Sequence, residues 1–274
     1  MLEIPESQTV SAQVEKMLLG KKIKKVTAAA APHKFAFFYG DPAEYPALLE
    51  GRTLERARPS AGLVELCLGD CLLTFGDGAN LRYYGPGEPL PKKHQLLLQF
   101  EEGDSLVCTV RMYGGLMAFR DGENENFYYL VTKEKPSPLS EEFDFPYFEK
   151  LFQETNSNLS VKAFLATEQR IPGLGNGCLQ DILFTAGLHP KRKLSSLGAE
   201  QVETLYQSVK ETLLKMTELG GRDTDQDLFG QPGGYQTLLS KNTLPYPCPV
   251  CGGPICRQAY LGGNVYFCPN CQPL

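Results

Sequence analysis

The chain has no apolar run long enough to cross a bilayer, and its start, Met1-Leu2-Glu3-Ile4-Pro5-Glu6, carries neither the basic residues nor the hydrophobic stretch of a secretory signal. These absences give the expectation of a cytoplasmic protein with no membrane contact. Positive charge is also scarce: 27 Lys and Arg stand against 32 Asp and Glu, a formal net charge of −5. Indiscriminate nucleic-acid binding draws most of its free energy from phosphate neutralisation, so the acidic total excludes a uniformly basic surface. A polyanion site has to be local. Lys21-Lys22-Ile23-Lys24-Lys25 and Lys191-Arg192-Lys193 are the candidate patches, although charge runs are commonly solvated faces. Histidine is limited to three residues, and His33 and His94 are isolated, which reads as surface or internally satisfied imidazoles rather than catalysts.

What is present is enough for two packed cores, or for one core with an appended module: 274 residues, 42% of them hydrophobic. Val10, Val14 and Leu18 lie four apart within residues 6 to 19 and Gly20 follows, the pattern of an amphipathic helix ended by a left-handed glycine. From Lys22 to about Phe119 the pattern changes to short aliphatic and β-branched runs, such as Leu63–Leu66, Leu72–Phe75, Gln95–Phe100 and Leu106–Val110, separated by Gly-Asp, Asp-Gly and Glu-Gly pairs. This predicts an antiparallel sandwich or barrel. Lys133-Glu134-Lys135-Pro136-Ser137-Pro138 is charged, proline-punctuated and aperiodic, and reads as a linker. Helical spacing dominates beyond it, most clearly in Val202, Leu205, Val209, Leu213 and Met216 ahead of Gly220-Gly221. The expected division is a β domain with a leading helix over 1-133, a helical domain over 134-240 and a cysteine module over 241-274.

Five of the nine cysteines fall in that last module, four of them in two closely spaced pairs. Cys248-Pro-Val-Cys251 and Cys268-Pro-Asn-Cys271 form C-x2-C-x16-C-x2-C, the spacing at which two turns each present two thiolates to one tetrahedral zinc ion. The intervening Tyr260–Phe267 reads as strand, turn, strand. The alternative is two disulfides, which an intracellular location disfavours. No histidine or carboxylate accompanies the four ligands, so the single zinc is expected to be structural, replacing a core too small to fold alone. Cys256 has no spaced partner and is not expected to be a ligand. Cys67, Cys71, Cys108 and Cys178 sit in apolar segments as small buried hydrophobes.

Ile171-Pro172-Gly173-Leu174-Gly175-Asn176-Gly177 lies between two helical patterns. A glycine turn ending at a helix N-terminus offers unpaired N–H groups and the positive end of a helix dipole, which suit a phosphate; a plain glycine-rich helix connection is the alternative. Taken with Glu3, Pro5-Glu6, the β region, Lys162-Ala163-Phe164-Leu165, Gly187-Leu188-His189-Pro190 and the cysteine hairpin, all in one order, the chain resembles the formamidopyrimidine/endonuclease VIII DNA glycosylase family along essentially its whole length. The resemblance implies an α+β fold: an N-terminal antiparallel β-sandwich, a helix–two-turn–helix domain and a C-terminal zinc-finger β-hairpin. It also implies a monomer holding damaged double-stranded DNA in the cleft between domains, nucleoid-associated if the source is bacterial.

The same resemblance assigns residues. Family members begin at a proline whose secondary amine attacks the sugar C1′, and Leu2 holds that position, so strand cleavage through a Schiff base is not expected. Glu3 matches the family's proton-shuttling glutamate and Glu6 its second acid. A buried Glu3 is able to act as a general base toward water, which would release a base without cutting the strand; a helix-capping carboxylate is the structural alternative. Lys162, Gly173, Gly175 and Asn176 correspond to DNA-backbone contacts. Gly62 and Gly263 lie in the two turns where the family carries a phosphate-binding lysine and arginine. Asp77, Met112 and Tyr113 align with the residues that fill the gap of an extruded nucleotide; Gly76-Asp77-Gly78 also reads as a hairpin turn. The loop from Gly220 to Tyr235 falls where the family keeps its lesion-recognition loop, and its acids Asp223, Asp225 and Asp227 suit a polyanion badly. Three functions remain in competition: a monofunctional glycosylase in base excision repair, a catalytically inactive lesion binder, and a zinc-hairpin interaction protein without DNA activity.

Overall fold

The computed structural model describes residues 1–274. Helix α1 (Ile4–Leu18) opens on Glu3, with Pro5 in its first turn, where the missing N–H costs nothing. It ends as expected at Gly20, whose φ of +78° is the left-handed conformation glycine adopts freely. Seven strands follow: β1 (Ile23–Ala28), β2 (Ala36–Tyr39), β3 (Arg56–Ser60), β4 (Leu63–Leu68), β5 (Cys71–Tyr84), β6 (Leu96–Phe100) and β7 (Ser105–Arg120), with a short helix α2 (Tyr45–Leu49) before β3.

The sheet runs β1-β6-β7-β5-β4-β3, and all its pairs are antiparallel except β2, which lies parallel to the second half of β7. The long strands β5 and β7 pair along nearly their whole length, and their register slips between Asp77 and Ala79. That slip divides the sheet. Beyond it β6 and β1 extend the first half of β7, whereas before it β4 and β3 extend the first half of β5. A bulge in two long strands is a usual way to turn one sheet into two layers. Side chains from both halves, among them Val26, Leu98 and Leu106 on one side and Val64, Leu73 and Phe75 on the other, meet in one core with Val10, Val14 and Leu18 of α1. Gly76-Asp77-Gly78 is therefore the corner of the sandwich and not a hairpin turn.

Helix α3 (Phe127–Glu134) takes in Lys133 and Glu134, so the aperiodic connection read at 133–138 begins two residues later, at Lys135. The cause is tertiary: Tyr129 and Lys133 both donate to the buried carboxylate of Glu65, at 3.1 and 2.7 Å, and no local pattern announces that. Helices α4 (Phe145–Gln153), α5 (Val161–Ala166), α6 (Cys178–Thr185) and α7 (Ala199–Glu218) form a second core, in which the α7 face read from the sequence is buried. Ile4 belongs to this second core while the rest of the apolar face of α1 belongs to the first, so α1 joins the two. The chain closes with the hairpin β8 (Cys256–Tyr260) and β9 (Gly263–Phe267), turned by Leu261 and Gly262 at φ +47° and +74°. Positive φ at both central residues is the tight turn whose twist matches a two-stranded ribbon. No helix is long and apolar enough to cross a membrane.

Candidate functional site

The site begins with a close approach of two backbones. The turn between β3 and β4 presents Gly62 to Gly173, and a Cβ built on Gly173 would stand 2.1 Å from the Gly62 nitrogen. Neither residue can carry a side chain there. The absence of a lysine at this turn is thus a packing requirement of this chain, since the β region and the glycine turn touch through bare backbone.

The same approach brings Glu3 into the glycine turn. Its carboxylate accepts from the backbone N–H of Gly175 at 3.0 Å, Gly177 at 2.8 Å and Cys178 at 2.9 Å, and from Nη1 of Arg222 at 3.2 Å. The turn at the start of α6 does bind an anion, as its chemistry predicts. The anion is Glu3. Between Gly175 and Cys178, Asn176 is the residue whose N–H finds no acceptor within the chain, and it lines the cleft. Its side-chain Nδ2 donates to the Asn264 carbonyl at 3.0 Å, and Gln180 Nε2 donates to the same carbonyl at 3.1 Å, which docks the hairpin onto α6.

Arg222 is the residue that sequence reading passes over. It is 2% exposed and holds Glu6 in a fork, Nε to Oε1 at 2.9 Å and Nη2 to Oε2 at 2.7 Å, while also pairing with Glu3 and with Asp225 at 3.2 Å. One guanidinium thus serves three carboxylates. The loop acids that looked unsuited to a polyanion are committed internally: Asp225 pairs with Arg222 and the Met1 amine, Asp227 accepts from Gln13 and from the N–H groups of Phe229 and Gln231, and Asp223 accepts from Thr237. More than 200 residues of sequence separate Arg222 from Glu3 and Glu6, and no local pattern links them. Gly177 is fixed by the same cluster, since a Cβ there would fall 1.4 Å from Arg222 Nη1 and 2.7 Å from Glu3 Oε1. Gly177→Ala is expected to cost about 2 kcal/mol or more through overpacking, read as a fall in the urea midpoint of unfolding; an unchanged midpoint would show that the cluster gives way freely.

A cavity of about 260 Å³ opens above this floor. Leu2, Glu3 and Asp77 lie at its base, Tyr113 and Tyr128 on the sheet side, Lys162 and Asn176 on the helical side, and Leu261 to Gly263 of the hairpin tip across from them. Leu2 is buried in the sheet core and its N–H donates to the Asp77 carbonyl at 2.6 Å. Met112, 70% exposed, and Tyr113 project from the β7 bend. Burial, and then the charges of Asp77 and Glu3, push the Tyr113 hydroxyl up. Lys162 donates from Nζ to the Tyr260 carbonyl at 2.7 Å, and desolvation draws its pKa down. Lys191 lies 5.0 Å from the centroid of the same Tyr260 ring, so part of the second basic run does gather at the hairpin. In the first run, Lys21 and Lys22 are paired with Asp104 and Glu101.

Cys248, Cys251, Cys268 and Cys271 converge, with all Sγ atoms within 4.8 Å of one another, a cluster able to hold a metal ion. Cys256 lies outside it on β8. Cys71, Cys108 and Cys178 are buried as expected, and Cys67 is half-buried against the Leu72, Met117, Phe119 and Tyr129 cluster.

A bent antiparallel sheet, a helical unit with a glycine turn and a cysteine hairpin, all facing one cleft, define the architecture of a base-excision glycosylase. The comparisons with known proteins agree. Residues 135–227 match the family model described as the formamidopyrimidine-DNA glycosylase H2TH domain. The formamidopyrimidine-DNA glycosylase of Thermus thermophilus is 32% identical over 283 aligned positions, covering 99% of this chain and 98% of the relative. That of Cytobacillus firmus is 30% identical, covering 99% and 100%. Among solved structures, the Thermus thermophilus Fpg protein superposes with a TM-score of 0.81 at 29% identity over 98% of both chains. The Lactococcus lactis Fpg in complex with abasic-site DNA superposes with a TM-score of 0.84 at 25% identity over 99% and 100%. The chain belongs to the formamidopyrimidine-DNA glycosylase family.

Proposed function

We propose that this protein binds lesion-containing duplex DNA across the cleft and releases the modified base by hydrolysis, leaving the strand uncut. The observation that carries the reading is the single cavity that gathers exposed Tyr113, the open N–H of Asn176, Lys162 and the hairpin tip around a carboxylate floor. Met112 and Tyr113 occupy the space of an extruded nucleotide, Tyr113 by stacking and Met112 as an apolar wedge. Asn176, with the adjoining Gly173 and Gly175 backbone and Lys162, meets the DNA backbone. The Lactococcus lactis relative is bound to abasic-site DNA in one solved complex and to N7-benzyl-Fapy-dG DNA in another, which supports this class of partner.

Hydrolysis is favoured over a covalent sugar–amine route because a buried leucine fills the place of the nucleophilic proline. Glu3, held in place by four donors and backed by Glu6 through Arg222, presents its carboxylate toward the cation that develops at C1′ as the glycosidic bond breaks. One zinc ion fits the cysteine cluster. Tetrahedral bonds of about 2.3 Å set sulfurs roughly 3.8 Å apart, and Cys248 to Cys271 and Cys251 to Cys268 stand at 3.7 and 3.5 Å. Its part is to fold the hairpin, with no place in the chemistry.

The test is base release from duplexes carrying oxidised purines, oxidised pyrimidines, ring-opened purines or alkylated bases, developed with and without hot alkali. Product that requires alkali is expected. Strand scission without alkali would overturn the hydrolytic route, and salt-sensitive binding without any product would make the protein a lesion sensor.

A further inference from the structure

A carboxylate offers about four acceptor positions, and those of Glu3 are filled by Gly175, Gly177, Cys178 and Arg222. To take a proton from water it would have to release a partner it already holds. The other carboxylate of the cavity is in the opposite condition. Asp77 lies exposed at the base of the cavity beside Glu3 and Tyr113, and its side chain has no hydrogen bond or ion pair within the protein.

Its position is set by backbone. Asp77 sits at φ +54°, the left-handed region, where β5 slips register against β7, and its carbonyl fixes Leu2. The next residue has to be Gly78, because a Cβ there would lie 2.3 Å from the Tyr113 carbonyl oxygen. A side chain held in a sparsely populated conformation by its surroundings, free of internal partners and aimed into a cavity, is placed for a ligand.

We infer that Asp77 is the general base of the hydrolysis, taking a proton from the attacking water while Glu3 stays held by its four donors. The inference rests on the glycosylase reading above. The water oxygen bonds to C1′ as the C1′–N bond breaks, and the electron pair leaves on the base nitrogen. The water proton passes to Asp77 and from it to the departing base. The sugar hydroxyl and the protonated base are the products, and the carboxylate is regenerated.

The charged and titratable groups around Asp77 are Glu3 ahead of α1, Tyr113 on β7, the Met1 amine paired with Asp225, Tyr128 of α3, and Lys162 of α5 across the cavity. Desolvation at the base of the cavity, and after it the charge of Glu3, hold the Asp77 carboxyl above its ordinary value. A general base works only when deprotonated, so base release should fall as pH drops through that raised value.

Asp77→Asn is the informative variant, since asparagine tolerates the left-handed region as aspartate does; Asp77→Gly keeps the backbone while removing the side chain. Single-turnover base release is followed across pH on the full chain, beside binding of an abasic-site duplex. Both variants are expected to release base about 10²- to 10⁴-fold more slowly and to lose the acid limb, with duplex affinity within about threefold of wild type. Wild-type rates in the variants, or an acid limb that persists in Asp77→Asn, would overturn the assignment. Wild type releasing no base from any lesion overturns the assignment and the glycosylase reading together, so the wild-type arm alone tells the two failures apart.

Discussion

Arg222→Met is expected to be among the most damaging single substitutions in this chain. It removes the guanidinium from Glu3 and Glu6, which are 2% and 5% exposed, and leaves both carboxylates buried without a cation. Breaking a buried pair from one side costs about 3–5 kcal/mol, because the remaining charge has lost both water and partner. At roughly 2–4 °C per kcal/mol for a chain of this order of size, the melting temperature should fall by roughly 10 °C. Arg222→Lys should recover little, since an ammonium cannot reproduce the fork on Glu6 and reach Glu3 as well. Combining Arg222→Met with Glu3→Gln and Glu6→Gln should recover part of the loss, because no charge is then stranded. A single variant that melts within about 2 °C of wild type would show that the cluster contributes less than one such pair. The same substitution should loosen the loop from Gly220 to Tyr235, as Arg222 and Asp225 tie it to the N-terminal segment beneath the cleft.

Removing the metal, by a strong chelator or by Cys268→Ser, is expected to unfold the hairpin and abolish DNA binding while leaving the other two cores intact. The hairpin core has six buried side chains, Phe184, Leu239, Cys248, Ile255, Tyr266 and Cys268, of which two belong to the four-cysteine cluster. So little apolar surface cannot offset the ordering of the chain. Structural zinc contributes an apparent 10–16 kcal/mol or so to comparable small modules. With the hairpin gone, Asn176 and Gln180 lose their bonds to Asn264, Gln180 loses Tyr266, and Lys162 loses Tyr260. Amide hydrogen exchange over residues 248–272 together with duplex binding measures both effects. Cys256→Ser should change neither, since that thiol is outside the cluster. Protection that survives chelation in the hairpin would mean that the cysteines do not depend on a metal.

Much of this is legible locally. The α1 and α7 faces are set by four-residue spacing, their ends by Gly20 and Gly220-Gly221, and the cysteine hairpin by a spacing that geometry makes nearly unambiguous. The glycine turn reads as an anion site because N–H groups at a helix start are electropositive whatever the partner. Its occupant is not legible, because Glu3 reaches it only after the Gly62 and Gly173 backbones touch.

The sequence by itself determined the family, the helical faces and the four-cysteine hairpin, all of which rest on residues close together in the chain or on motifs in a particular order. Only the tertiary structure decided that Gly76-Asp77-Gly78 is the corner of a sandwich, that Arg222 lies buried among three carboxylates, and that Asp77 rather than Glu3 is the unpartnered acid of the cleft. The physical reason is common to all three. A charge's partner and a bulge's position depend on which segments meet in space, and segments separated by tens to hundreds of residues leave no periodicity behind when they do.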